Sequence, residues 1–381
     1  MKFVIAPDSF KHCMTARQAA EAIREGLSRV FPDAAYDLVP MADGGEGTVA
    51  SLVDATGGVL CGADVLDPLQ RPIRATYGML GDGHTAVIEM AEASGIQHVD
   101  AADLDPLTAT TYGTGQLIRA ALDDGARRII LGIGGSATND GGAGMAESLG
   151  VRLLDAAGRP IPRGGGALGC LARIDVSGID PRIKATDILV ASDVTNPLTG
   201  PTGASVVFGP QKGATSDMVE TLDRNLRHYA DVIRRCLGRD VERQPGAGAA
   251  GGLGAGLLAF TQATMRSGAA LVAETARLAD RAADADYCLT GEGHIDAQTR
   301  YGKTPMGVAQ AVRRGNPDIG VIAFAGSLDV DAAALHGIGI DAAFAITPGV
   351  TDLAQALADG PANLANAAEN VGRVIALGRR R

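Results

Sequence analysis

Gly132-Ile-Gly-Gly-Ser-Ala-Thr-Asn-Asp-Gly-Gly-Ala-Gly-Met145 is the stretch of this chain best equipped for chemistry. It follows an apolar run, residues 128–131, that reads as a buried strand, and it precedes a helical pattern over residues 143–149. Glycines such as Gly134 and Gly135 remove side chains, so backbone N–H groups can approach an anion closely. A helix N-terminus adds a favourable partial charge. Ser136, Thr138, Asn139 and Asp140 supply hydroxyl, amide and carboxylate groups. The combination is a cradle for phosphate or carboxylate, with Asp140 a candidate metal ligand. Its spacing matches neither Gly-x-Gly-x-x-Gly nor the P-loop Gly-x-x-x-x-Gly-Lys-Ser/Thr. A glycine turn serving only close packing is the competing reading.

Other runs carry comparable groups. Asp8, beside Ser9, can hold Mg²⁺ or orient a hydroxyl, and Lys11 can neutralise phosphate as a point charge. A turn with a capping Asp8 and a solvated Lys11 competes with this. Asp43-Gly-Gly-Glu-Gly47 again joins carboxylates to glycines, as an anion loop with a metal ligand would. Capping is the alternative there, with Asp43 as N-cap and Glu46 its partner. Asp193, with Asn196 nearby, is a carboxylate suited to hold a metal or accept a proton. Lys212, in a tight Gly-Pro-Gln-Lys-Gly turn, reads as a mobile cation able to close on phosphate. Residues 245–254 form a second glycine loop, open to a hinge role or to tight helix packing. Gly291-Glu-Gly-His-Ile-Asp296 leads through Thr299 and Gly302 to Lys303, so Glu292, Asp296 and Lys303 combine a carboxylate pair with a cation. Pro305, just inside a helix, leaves earlier N–H groups open to an anion. His294 has no second histidine at metal-ligand spacing, which favours hydrogen bonding over zinc binding. A Gly-x-Ser-x-Gly elbow, an activated cysteine and a hydride-transfer fingerprint are all missing from the sequence. Carboxylates, lysines and anion-friendly loops together point to phosphoryl transfer around Mg²⁺.

Strand–helix alternation at both chain ends must position these groups. Residues 2–6 and 36–42 read as strands, and residues 45–56 as a helix. Thr15 reads as the N-cap of a helix that buries Ala19, Ala20, Ile23 and Leu27. Residues 59–90 alternate as antiparallel hairpins do. Residues 188–192 and, briefly, 205–208 read as strands, and residues 217–237 as a long helix. The strand–helix rhythm returns at 286–290, 321–325 and 342–346. The expected class is α/β with two domains. One is a parallel-sheet, Rossmann/flavodoxin-like domain built from residues 1–60 and 284–381; the other is an inserted mixed α/β domain, residues 61–283. Ligands of open parallel sheets bind beyond the carboxyl ends of strands, so these motifs can share one cleft.

The 381 residues suffice for two domains. With no Trp and 3% aromatics, the core must be built from Ala, Leu, Val and Ile. A net charge of −10 argues against a nucleic-acid surface and requires local cations for an anionic substrate. No apolar stretch approaches the roughly 20 residues that span a bilayer. An odd cysteine count of 5, without Cys-x-x-Cys spacing, and a start lacking a signal-peptide pattern favour the cytoplasm. Oligomeric state is left open.

The runs 6–9, 42–48, 132–145, 193–198, 208–213, 245–254 and 290–296, in this order, resemble the bacterial glycerate kinase family, of glycerate 2-kinase type, nearly end to end. The resemblance implies ATP-dependent, Mg²⁺-assisted phosphorylation of D-glycerate in organic-acid metabolism, with the active site between two α/β domains. It favours the 2-hydroxyl over the 3-hydroxyl. Asp193, Asp43 and Lys11 are then expected to act in catalysis. Gly134, Gly135, Ser136, Thr138, Asn139, Lys212, Gly291, Glu292 and Lys303 are expected to bind ATP. Asp8, Ser9, Asp296 and His294 would face glycerate, and Asp43, Asp193 and Asp140 the metal. His12-Cys13-Met14 departs from the family pattern of a small residue and a serine. His294 replaces an arginine, a permanent cation, with a titratable ring. Rival readings are a metal-dependent phosphatase, which needs no ATP, and a carboxylate sensor that closes without chemistry.

Overall fold

Thr15 opens the first helix as its sequence predicts. Its hydroxyl accepts from Gln18 N, and its own N–H donates to Gln18 Oε1 at 2.9 Å, a capping box. The computed structural model describes residues 1–296, 303–329 and 335–379; Thr299 and Gly302 fall outside them.

Along the chain come β1 (Lys2–Ile5), α1 (Ala16–Ser28), β2 (Ala35–Leu38) and α2 (Thr48–Thr56). Next are β3 (Val59–Leu66), β4 (Pro72–Met79), β5 (Thr85–Glu89), α3 (Ala91–Ser94), α4 (Tyr112–Asp123) and β6 (Arg128–Gly132). Then follow α5 (Ala143–Ser148), β7 (Arg152–Leu154), β8 (Arg173–Asp175), β9 (Asp187–Ala191), α6 (Ala204–Phe208), α7 (Ser216–Leu237), α8 (Ala249–Phe260) and β10 (Thr264–Arg266). The last part holds α9 (Gly268–Thr275), α10 (Leu278–Ala282), β11 (Tyr287–Ile295), α11 (Thr304–Gly315), β12 (Gly320–Leu328), β13 (Ala342–Ala345), α12 (Leu353–Ala358) and α13 (Gly360–Gly378).

Contacts gather the chain into two compact units. The first comprises Met1–Asp43, Ala50–Thr56 and Ser267–Arg381; the second comprises Gly44–Val49 and Gly57–Arg266. In the first unit both chain ends supply one sheet, ordered β13-β12-β11-β1-β2, with every neighbour parallel. Counted within the unit, that order is 2-1-3-4-5, and it reverses between β1 and β11. Such a reversal is where open α/β sheets bind ligands. Phe3, Ile5, Ile23, Leu27, Leu289, Phe324 and Leu364 form its core. Fully burying one such side chain stabilises the fold by about 1.5–3 kcal/mol.

The second unit is built on a sheet ordered β10-β9-β6-β5-β4-β3. β5, β6, β9 and β10 are parallel, while β3 and β4 continue it antiparallel, as the alternating sequence predicts. Ile88, Ile129, Leu131, Ile188, Val190 and Leu253 pack one cluster of its core. Leu226, Tyr229, Ile233 and Phe260 belong to another.

Two local expectations change. Residues 204–208 are helical, not a strand: Val206 and Val207 face solvent, while Ser205 is buried. α2 starts at Thr48, because Gly44 and Gly47 take φ of +91° and +89°, which a right-handed helix cannot accommodate. The capping box of Asp43 and Glu46 therefore does not form.

Candidate active site

At the reversal point of the first unit, Asp8 leaves β1 and its N–H donates to Gly291 O on β11 at 2.8 Å. Asp8 Oδ1 accepts from Ser9 N at 2.6 Å, and Oδ2 accepts from the hydroxyl of Thr304, the first residue of α11. Only 9% of Asp8 is exposed. Burial, and then the like charge of Asp43, push its carboxyl up to about 6, against the bonds from Thr304 and Ser9. Met41 N–H donates to Pro7 O at 2.9 Å, which brings the exit of β2 beside this turn. A buried carboxylate whose proton affinity is raised by a second carboxylate nearby makes a site hospitable to a cation. Lys11 is exposed and Ser9 half-buried on the same loop.

β11 does not stop at Thr290 as its apolar run suggests. It pairs with β12 through Ile295, setting Glu292 against Ala325 and His294 against Ser327. Glu292 and His294, two apart on a strand, share one face. The His294 Nδ1 lies 2.6 Å from Ser327 Oγ, and its Nε2 3.6 Å from Asp296 Oδ2. Lys303 Nζ donates to Asp296 Oδ1 at 3.2 Å. Of the expected carboxylate pair and cation, Asp296 and Lys303 are brought together, with His294 beside Asp296.

In the second unit, Glu89, Gly132 and Ala191 end β5, β6 and β9 in mutual register. The 132–145 loop and Asp193 therefore leave the same edge of the sheet. Gly134 and Gly135 are exposed at the loop tip, and Ser136, Thr138, Asn139 and Asp140 are buried. Asp140 Oδ2 accepts from Thr111 N at 2.8 Å and Gly144 N at 3.1 Å; Oδ1 accepts from Gly142 N at 3.0 Å and the Thr111 hydroxyl at 3.1 Å. Burial raises its carboxyl, and those bonds partly offset the rise. Both oxygens are occupied by the loop and by Thr111 before α4. At the start of α5 the N–H groups of Gly142 and Gly144 are filled by the Asp140 carboxylate, that of Ala143 by Asp140 O, and that of Met145 by the Thr111 hydroxyl.

Lys212 is 2% exposed, and its Nζ donates to Thr138 O at 2.6 Å and to Ser136 Oγ at 3.3 Å. Burial pushes its ammonium down to about 7, opposed by the pull of Asp140. It is an internal tie on the loop, not a mobile cation. Asn139 Nδ2 donates to Ser205 Oγ at 2.9 Å, while its buried Oδ1 has no hydrogen-bond partner among the described residues. The second glycine loop turns out to be packing: a Cβ on Gly251 would stand 1.9 Å from Thr138 O, and Gly141 N donates to Gly251 O at 3.0 Å. Asp193 is exposed two residues beyond β9, and the neighbouring Asn196 is anchored through Nδ2 to Thr202 O at 2.8 Å.

Thr304, Thr111 and Glu89 escaped the sequence reading. The last had a visible signal, a lone carboxylate closing the apolar run Thr85-Ala-Val-Ile. Among the described residues, no three His, Cys, Asp or Glu side chains cluster closely enough to hold a metal ion.

A family model described as "Glycerate kinase family" matches residues 3–376. The chain belongs to the glycerate kinase family. It is accordingly a kinase, of a family that phosphorylates with ATP, so the phosphatase and sensor readings are set aside. The chain is 52% identical over 379 residues to "Glycerate kinase" of Bacillus subtilis, covering 100% of this chain and 99% of that one. It is 49% identical over 380 residues to "Glycerate 2-kinase" of Escherichia coli, with coverage of 100% and 99%. A crystal structure of a protein assigned as glycerate kinase 2 from Salmonella typhimurium LT2 matches with a TM-score of 0.91 and 48% identity, covering 100% of both chains. No helix among the described residues of this kinase is long and apolar enough to cross a membrane.

Proposed function

We propose that this kinase transfers the γ-phosphoryl group of ATP to the 2-hydroxyl of D-glycerate. Near-half identity over the full length to a relative named for the 2-kinase activity carries the reading. The residues at the strand ends supply the chemistry. Asp193, exposed beyond β9, accepts the proton of the attacking hydroxyl. The exposed Gly134–Gly135 tip offers backbone N–H groups to the nucleotide phosphates, on a loop held by Lys212 and Asp140. Lys11 and Lys303 balance phosphate and carboxylate charge, and Glu292 and Gly291 line the nucleotide side. Ser9, His294 and Asp296 are assigned to glycerate.

Asp8 and Asp43 fit a divalent cation, because the charge of Asp43 disfavours that of the buried Asp8 and Mg²⁺ is commonly held by one or two carboxylates plus substrate phosphates. Mg²⁺ bound there supplies positive charge to the transferring group. Asp140, whose oxygens are committed to the loop, is left out of that set. We read the two compact units as two domains, residues 267–283 joining the discontinuous first one. All five cysteines are unpaired, which supports placing the enzyme in the reducing cytoplasm.

A coupled ADP-release assay with D-glycerate, L-glycerate and glycolate tests the reading. D-Glycerate should give the highest kcat/KM, and ³¹P NMR should identify 2-phosphoglycerate. Absence of glycerate-dependent ADP release would overturn the substrate, and 3-phosphoglycerate the regiochemistry.

A further inference from the structure

Glu89 is a buried carboxylate that the mechanism above does not use. It ends β5, only 9% exposed, and the next residue, Met90, donates its N–H to Gly132 O at 2.9 Å. Its Oε1 accepts the N–H of Val49, in the first turn of α2, at 2.8 Å, and the Gly47 N–H also bonds to it.

The segment it binds, Gly44–Val49, lies across the ends of three strands. A Cβ on Gly44 would stand 2.7 Å from Ala191 Cβ at the end of β9. A Cβ on Gly132 would stand 2.3 Å from Gly44 O, and one on Gly134 3.2 Å from Gly45 Cα. Glycines allow this approach but bring no side chain to secure it. The Thr48 hydroxyl turns back to Gly45 O at 2.8 Å, within the segment itself. Glu89 reaches the segment from the sheet.

We infer that Glu89 is a positioning residue, a clamp that fixes the Gly44–Val49 turn against the Gly132–Thr138 loop and thereby sets the nucleotide-phosphate subsite. The assignment of that subsite rests on the function proposed above. The clamp is unfavourable for the charged carboxylate. Burial, with Glu92 and Glu46 nearby, pushes its carboxyl up to about 7 despite the bonds from Val49 and Gly47. Gly132, Gly44 and Ala191, which complete the strand-end surroundings, carry no charge.

Two measurements on the full-length chain test the clamp. Hydrogen exchange reads it without any activity: Glu89→Ala should speed exchange of the amides in 44–49 while those of β6 stay protected. Unchanged exchange overturns the inference. In the ADP-release assay, Glu89→Ala should raise KM for ATP about tenfold and leave KM for D-glycerate within about twofold. Equal rises in both, alongside a lower Tm, would mean plain destabilisation and overturn it too. Should Glu89→Ala fail to fold, Glu89→Gln, which keeps an acceptor for Val49 N–H, carries the test. It should raise KM for ATP about threefold with faster exchange in 44–49, and no change in either overturns the inference. Wild-type enzyme inactive on glycerate would defeat the proposed substrate and leave the exchange result to judge the clamp.

Discussion

Lys212→Met separates the charge of the buried lysine from its bulk. Methionine keeps an unbranched stem and lacks the ammonium. Folding moves the ammonium from water to a site 2% exposed and lowers it from lysine's ordinary 10.5 to about 7. Below about pH 7 the group is protonated in folded and unfolded chains alike, and it contributes no slope. Between about pH 7 and 10.5 the unfolded chain binds one more proton, so stability rises with pH. The slope is about 1.4 kcal/mol per pH unit, which makes about 3 kcal/mol between pH 7 and pH 9.5. Urea unfolding of wild type and Lys212→Met at intervals across that range measures it. Subtracting the variant cancels titration of tyrosines and cysteines common to both. Wild type should gain on the variant steadily as pH rises. Parallel curves, differing in slope by less than about 0.3 kcal/mol per unit, would refute the depressed ammonium. Because the same ammonium ties Ser136 and Thr138, the variant should also raise KM for ATP about tenfold, the worth of one charged hydrogen bond.

Asp193→Asn should lower kcat by at least about a hundredfold in the ADP-release assay, and near-normal turnover would remove it as proton acceptor. The folded Asp8 carboxyl lies at about 6 against an ordinary 3.8, so its stabilising share is complete below pH 3.8 and lost as pH rises through 6. Asp8→Asn should therefore be about 3 kcal/mol more stable than wild type at pH 8 without divalent cations. The rise in Tm on adding MgCl₂ expected of wild type should shrink in that variant. Gly251→Ala, with φ +65° and a Cβ placed 1.9 Å from Thr138 O, should lower unfolding free energy by at least about 3 kcal/mol, read from the urea midpoint.

The chemistry-bearing loops were legible because glycine, carboxylate and lysine are unusual neighbours just after apolar runs. β1, β6 and β9 announce themselves by short Val/Ile/Leu stretches, and the polar residues after them fall at strand ends by necessity. What escaped depends on partners far along the chain. Nothing near Asp140 in sequence tells that Thr111 will satisfy it, or that Lys212 will point inward to Thr138. Both side chains have the composition of ligand-binding groups and the surroundings of structural ones. Residues 204–208 misread as a strand because valines favour strands, whereas the buried Ser205 bonded to Asn139 decides the local geometry. β11 outruns its apolar stretch because eight residues of β12 pair with it regardless of side-chain polarity.

The parallel sheet of the first unit joins chain segments synthesised far apart in time. Lys2 N donates to Asp286 Oδ2, 284 residues later, and β1 has β11 as its neighbour. On a ribosome, residues 57–266 are complete before β11 exists, so they can fold while β1 and β2 wait with Phe3 and Ile5 uncovered. Contacts of such separation form slowly and leave apolar surface open to aggregation. A chain cut short before β11 therefore yields a finished middle carrying β1 and β2 without their sheet, and nascent-chain chaperones should engage this protein through residues 1–40.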